Sequence, residues 1–138
     1  MIKNAAVRFS DIDAQGHASH LAILGWIAEA RIEMLDDAVR RAGLWGRVDY
    51  VLARIEADFR EEVQYPGTVE VLARVVAIGG KSVTSTYTVL REIPDATTVT
   101  VATAECVSVF FDVATKKTIR VPDEVRAAIR VEEDSECI

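Results

Sequence analysis

Residues 7–35 read VRFSDIDAQGHASHLAILGWIAEARIEML, and this stretch holds both histidines and the densest polar cluster of the chain. A few strand-like residues, Val7, Arg8 and Phe9, lead into Asp11, Asp13, Gly16, His17 and His20. Gly16 and its small neighbours suit an irregular loop over 11–19, and Ser19 suits a helix N-cap, its hydroxyl accepting an orphan backbone N–H. A helix start presents unbonded N–H groups and a partial positive charge, which favour developing negative charge. Any chemistry this chain performs belongs here.

From His20 to about Ala42 the pattern is helical. At 100° per residue, Glu29, Glu33, Asp36 and Arg40 fall within about 40° of one another and make one solvated stripe. Leu24, Ile27, Leu35, Ala38 and Ala42 occupy the other side. So narrow a polar stripe means a helix wrapped by other structure. Gly43 stands where a left-handed residue ends a helix. His20 and Arg31 interrupt the apolar side. A buried arginine needs a carboxylate, and Asp11 or a glutamate from a strand is the expected partner.

Beyond the helix the period changes. Residues 51–63, 68–78, 82–92 and 97–112 are rich in Val, Thr, Tyr and Phe, which suit a pleated surface. Turn signals at Tyr65-Pro66-Gly67, Gly79-Gly80 and Ile93-Pro94-Asp95 separate them, so the expected arrangement is an antiparallel meander preceded by a short strand over 5–10. Pro122 opens a short helix, and 132–138 reads as a frayed tail. The expected architecture is α+β: one domain over 1–138, a curved antiparallel sheet of five or so strands wrapped around one long helix. A single sheet with one helix leaves edges uncovered, so a homodimer or homotetramer is expected.

Half of the 138 residues are apolar, 28% are charged, and the net charge is −6. That balance is globular, and it argues against nucleic acid or an anionic membrane as partner, while leaving room for a local basic pocket. Cys106 and Cys137 have no metal or redox spacing and read as free thiols. The amino end lacks an apolar core of signal-peptide length, which favours the reducing cytoplasm.

The pattern R-F-S-D-I-D-A-Q-G-H-A-S-H, followed by E-A-R-I-E, resembles the 4-hydroxybenzoyl-CoA thioesterase-like branch of the hotdog-fold acyl-CoA thioesterases. Ile55–Phe59, the Pro66-Gly67 turn, Ile78–Ser82 and Arg120-Val121-Pro122 agree with it, so the likeness spans nearly the whole chain. It implies hydrolysis of acyl-CoA or acyl-carrier-protein thioesters, without a cofactor, at sites between paired subunits. It also matches Asp13 to the catalytic carboxylate and His20 to a position held by histidine in one subgroup. His17 matches a Gly-His pair of another subgroup, so the acyl group stays open.

A thioester carries a reactive carbonyl and a good thiolate leaving group, so a carboxylate and an oxyanion donor suffice. Asp13 would attack or activate water, N–H groups around Ser19 and His20 would hold the oxyanion, and Gly16 and His17 would line the pocket. The His20 side chain would orient or shuttle a proton. Asp11 reads as structural. The H-x-x-H spacing lacks the glutamate and further ligands of a zinc hydrolase, so no metal is expected. A hydratase needs Asp and His five apart with an Asn-Pro between, unlike Asp13 and His17. Lys81 and Ser82, with Lys116 and Lys117, are candidates for the CoA phosphates. The rival from another class is a hotdog scaffold that binds acyl thioesters without turning them over.

Overall fold

A computed structural model describes residues 1–131. The tail expected at 132–138, and Cys137 with it, lie outside the described residues. In chain order the elements are β1 (Ile2–Ala6), α1 (His20–Arg41), β2 (Val48–Phe59), β3 (Thr68–Ile78), β4 (Ser82–Glu92), β5 (Thr98–Asp112) and α2 (Asp123–Ala128). The strands form one antiparallel sheet in the order β1-β3-β4-β5-β2. α1 lies along its concave face, giving the α+β hotdog architecture.

Alternation builds the core. Val69, Val71, Ala73 and Val75 on β3 face inward, as do Val83, Ser85, Tyr87 and Val89 on β4 and Ala102, Ala104, Cys106, Ser108 and Phe110 on β5. They meet Ile23, Trp26, Ile27, Ala30, Leu35 and Val39 of α1. Fully burying one such aliphatic side chain contributes about 1.5–3 kcal/mol, so this interdigitated layer dominates stability. The helix ends as its sequence requires. Gly43 has φ +74, its N–H bonds Arg40 O at 3.0 Å, and Leu44 N–H bonds Val39 O at 3.1 Å, a Schellman pair.

Two expectations need correcting. The first strand occupies Ile2–Ala6 rather than 5–10, and Phe9–Asp11 is a 3-10 turn. Arg8 N–H donates to Asp11 Oδ2 at 2.8 Å, which turns the chain out of the sheet where strand was expected. Nor is the sheet a simple meander, because β2 sits beside β5 at the far edge. The 60–67 connection crosses from β2 to β3: Arg60 N–H bonds Val101 O at 2.8 Å, and Val7 N–H bonds Gly67 O at 2.8 Å. An eight-residue link anchored to two elements cannot close a tight hairpin.

Candidate active site

The 11–19 loop is held closed by its own backbone. Asp13 N–H bonds His17 O at 3.0 Å, Gly16 N–H bonds Asp13 O at 3.1 Å, and Ser19 N–H bonds Asp11 O at 2.9 Å. Gly16 turns the loop with φ +87, a conformation that other residues reach only with strain. A further bond, Ala18 N–H to Val63 O at 2.7 Å, pins the loop to the crossing segment. Asp11 is buried and takes the Arg8 guanidinium at 3.3 Å, so its role is structural, as expected. Half-buried Asp13 accepts Gln15 N–H on Oδ1 at 2.9 Å, and its other oxygen accepts nothing among the described residues.

Ser19 caps α1 as expected, its Oγ accepting Ala22 N–H at 3.2 Å. The Ser19 N–H, one of the expected oxyanion donors, is already given to Asp11 O. Among the described residues the N–H groups of His20 and Leu21 bond no acceptor, and both sit at the positive end of the helix. The available donor pair is therefore one residue further into the helix than the sequence suggested.

Both histidines face one hollow of about 250 Å³, closed on its other side by Phe59, Arg60, Glu61 and Glu62. The His20 ring meets the Phe59 ring nearly edge-on, with centroids 6.2 Å apart. His17 Nδ1 lies 3.3 Å from Ala18 O, and its Nε2 lies 3.9 Å from a Glu62 carboxylate oxygen. Asp13 does not line this hollow and stands on the loop beside it. Sequence reasoning missed Arg60, Glu61 and Glu62 because it placed them inside a strand over 51–63, whereas β2 runs Val48–Phe59 and these residues belong to the connection that follows. Three larger surface hollows, of about 620, 460 and 290 Å³, lie away from both histidines.

Lys81 and Ser82 sit at the opposite end of the sheet. Lys81 O accepts Phe110 N–H at 3.0 Å, whereas Phe59 pairs with Ala102. Eight strand residues separate Ala102 from Phe110, about 26 Å. Exposed Lys116 and Lys117 share that far end, in the turn that follows β5. Within one chain these lysines do not meet the Asp13 loop.

Arg31 is buried, as its place on the apolar face predicts, but the expected carboxylate is not there. Its guanidinium donates to Ser108 Oγ at 3.1 Å and lies 5.6 Å from the Tyr50 ring centroid. Asp11 is paired with Arg8, Asp36 accepts the Tyr50 hydroxyl at 2.6 Å, and neither makes an ion pair with Arg31 among the described residues. Burial pushes the Tyr50 and Tyr87 hydroxyls well above the usual tyrosine range, and the Arg31 charge partly opposes this.

A curved five-stranded antiparallel sheet around one helix, with an acidic loop feeding the helix start, defines a hotdog-fold domain of the thioesterase type. Residues 7–129 match the model of the thioesterase-like superfamily, and the chain belongs to that family. Solved structures agree in fold. A probable thioesterase from Escherichia coli, YbaW, is 22% identical, with 93% of this chain and 95% of that chain covered and a TM-score of 0.78. A 4-hydroxybenzoyl-CoA thioesterase variant complexed with 4-hydroxybenzoyl-CoA is 15% identical over 94% of this chain and 98% of that one, with a TM-score of 0.81. Gentisyl-coenzyme A thioesterase is also 15% identical, over 94% of this chain and 100% of that one, with a TM-score of 0.78. No curated protein matches the chain. Among the described residues no helix is long and apolar enough to cross a membrane.

Proposed function

We propose that this chain hydrolyses acyl-CoA thioesters to a free acid and CoA. The observation that carries the reading is the pair of unengaged N–H groups, His20 and Leu21, at the start of α1 beside the Asp13 loop. They would bind the thioester oxygen as it gains charge. Asp13 either adds to the carbonyl carbon, releasing CoA thiolate and leaving an anhydride for water to cleave, or draws the proton from an attacking water. The His20 side chain orients the thioester or carries a proton, and Gly16, His17 and Ser19 shape the pocket.

The working unit of this reading is a dimer made through β2. Its inward-facing Leu52, Ile55 and Phe59 are 42, 40 and 47% exposed, although they pair with buried Ser108, Cys106 and Ala102. A second copy running antiparallel about Ile55 would place Arg54 opposite Glu56 twice, opposite charges in register. The irregularity between Leu52 and Arg54 then sets Leu52 opposite Ala57 and Tyr50 opposite Phe59. From Phe59 across Tyr50 and Phe110 of the second copy to its Lys81 is three strand steps, about 14 Å. Lys81 and Ser82, useless to the site of their own chain, come within reach of CoA bound at the other.

Thiol release from a panel of acyl-CoAs, followed with a thiol-reactive dye and repeated with acyl-carrier-protein thioesters, tests the reaction. Turnover of CoA substrates is the expected result. Preference for the carrier protein would transfer the reading to that thioester. Thermal stabilisation by acyl-CoA without any thiol release would replace the enzyme with a binding scaffold.

A further inference from the structure

Arg126 of α2 makes three hydrogen bonds among the described residues, and all go to backbone carbonyls. Its Nε donates to Val121 O at 3.0 Å, and its Nη2 to Gly79 O at 2.5 Å and Gly80 O at 3.0 Å. The platform it springs from is fixed, because Val121 and Val125 are fully buried in the core. A planar guanidinium that spans the carbonyls of two segments ties α2 to the turn between β3 and β4. The two glycines of that turn restrict their own backbone less than any other residue would, so the turn takes its conformation from outside.

The contacts of Arg126 decide which way the peptide groups of the turn face. In a trans peptide the C=O and the following N–H point in opposite directions. One nitrogen gathers the Gly79 and Gly80 carbonyls, so the N–H groups of Gly80 and Lys81 are turned away from it. Neither bonds an acceptor among the described residues. The rest of the turn is engaged: Gly79 N–H bonds Ser82 O at 2.8 Å, Val121 N–H bonds Gly80 O at 2.9 Å, and Phe110 N–H bonds Lys81 O at 3.0 Å. The space beside Gly80 is open, with nothing beyond its chain neighbours within 4 Å of where a β-carbon would stand. Exposed Lys81 adds its ammonium, whose one hydrogen bond among the described residues is to Thr118 Oγ1 at 3.4 Å. Two successive unengaged N–H groups beside an ammonium make a cradle for an anion.

We infer that Arg126 is a positioning residue for the phosphates of CoA: it turns the Gly79-Gly80-Lys81 peptides so that the N–H groups of Gly80 and Lys81, with the Lys81 ammonium, meet phosphate. This rests on the thioesterase reading and on the β2 dimer, which brings the turn to CoA bound at the second copy, and it adds the device that holds the turn in its binding form. Without Arg126 the ammonium remains, but glycine freedom scatters the two N–H groups, and binding must order them first. Arg126 itself is occupied by carbonyls, so its loss acts on the ligand only through the turn.

The test compares an acyl-CoA with the N-acetylcysteamine thioester of the same acid, which lacks the phosphates, in wild type, Arg126→Met and Arg126→Lys. Arg126→Met should raise KM for the acyl-CoA by about tenfold at unchanged kcat, the effect of losing one hydrogen bond to a charged acceptor. KM for the phosphate-free thioester should not move, whereas a general weakening of the fold would raise both. Arg126→Lys should fall between, since one ammonium cannot span three carbonyls as the planar fork does. Equal KM changes for the two thioesters, or an unchanged KM for the acyl-CoA in a folded variant, overturns the inference. If no thioester is turned over, the reaction itself is misread, and thermal stabilisation by CoA against pantetheine takes over the test. Stabilisation of wild type by CoA and not by pantetheine, reduced in Arg126→Met, still supports the role of Arg126. No stabilisation by CoA, or equal stabilisation of both proteins, removes it. Should Arg126→Met fail to fold, Arg126→Lys carries the same comparison.

Discussion

Asp13→Asn separates the catalytic role proposed for this carboxylate from its structural one, because the structure shows what the side chain does for the loop. Oδ1 accepts Gln15 N–H at 2.9 Å, and an asparagine carbonyl oxygen can accept the same bond. What folding loses is the difference between a charge-assisted and a neutral hydrogen bond, about 1 kcal/mol. Catalysis loses far more. Removing a general base costs about 10²–10⁴-fold in rate, or about 3–5.5 kcal/mol at 1.36 kcal/mol per decade. Removing a nucleophile costs at least as much, since the covalent route disappears. The assay is thiol release at saturating acyl-CoA, read as kcat, beside a melting curve of the same preparation. The expected outcome is a near-wild-type melting temperature with kcat down by at least about 10²-fold. His20→Asn should cost less, because it keeps both the helix-start N–H groups and a polar side chain. An Asp13→Asn protein that melts normally and turns over its best substrate at the wild-type rate refutes the assignment.

Ile55→Asp puts two like charges face to face on the proposed β2 axis, so light scattering should show monomer and thiol release should fall with it; a dimer of unchanged strength would exclude this edge. Gly43→Ala forces a β-carbon into φ +74 at the end of α1 and should cost about 1 kcal/mol in urea unfolding, with activity unchanged below the transition. Burial raises the pKa values of Tyr50 and Tyr87 on folding, so their contribution to stability is complete below the unfolded-state value of about 10 and is lost as pH climbs past it. Urea titrations of wild type should show that alkaline loss, and the Tyr50→Phe, Tyr87→Phe double variant should flatten it; an identical pH slope would show that these hydroxyls do not titrate differently on folding.

Local chemistry made much of this protein readable from its sequence. The limits of α1, the Ser19 cap, the Gly43 stop, and the bounds of β3 and β4 follow from periodicity and from residues whose backbone preferences act over a few positions. The 11–19 loop was legible for the same reason, since Gly16 and the aspartates determine their own turns. Burial of Arg31 also followed from helical phase alone. Tertiary structure decided everything that joins distant segments. Whether Ala5 or Ile2 opens β1 depends on pairing with Thr68–Leu72, and the place of β2 beside β5 depends on a crossing segment anchored by Val63 and Arg60. Which helix-start N–H groups stay unengaged turned on loop closure, the capture of the Ser19 N–H by Asp11 O. The partner of Arg31 could not be read from sequence either. Asp11 pairs with Arg8, three residues before it, and only the fold brings the Arg31 guanidinium against a hydroxyl and an aromatic ring. Hydrophobic phase is a property of neighbouring residues, whereas the matching of charges is a competition among all the residues that folding brings together.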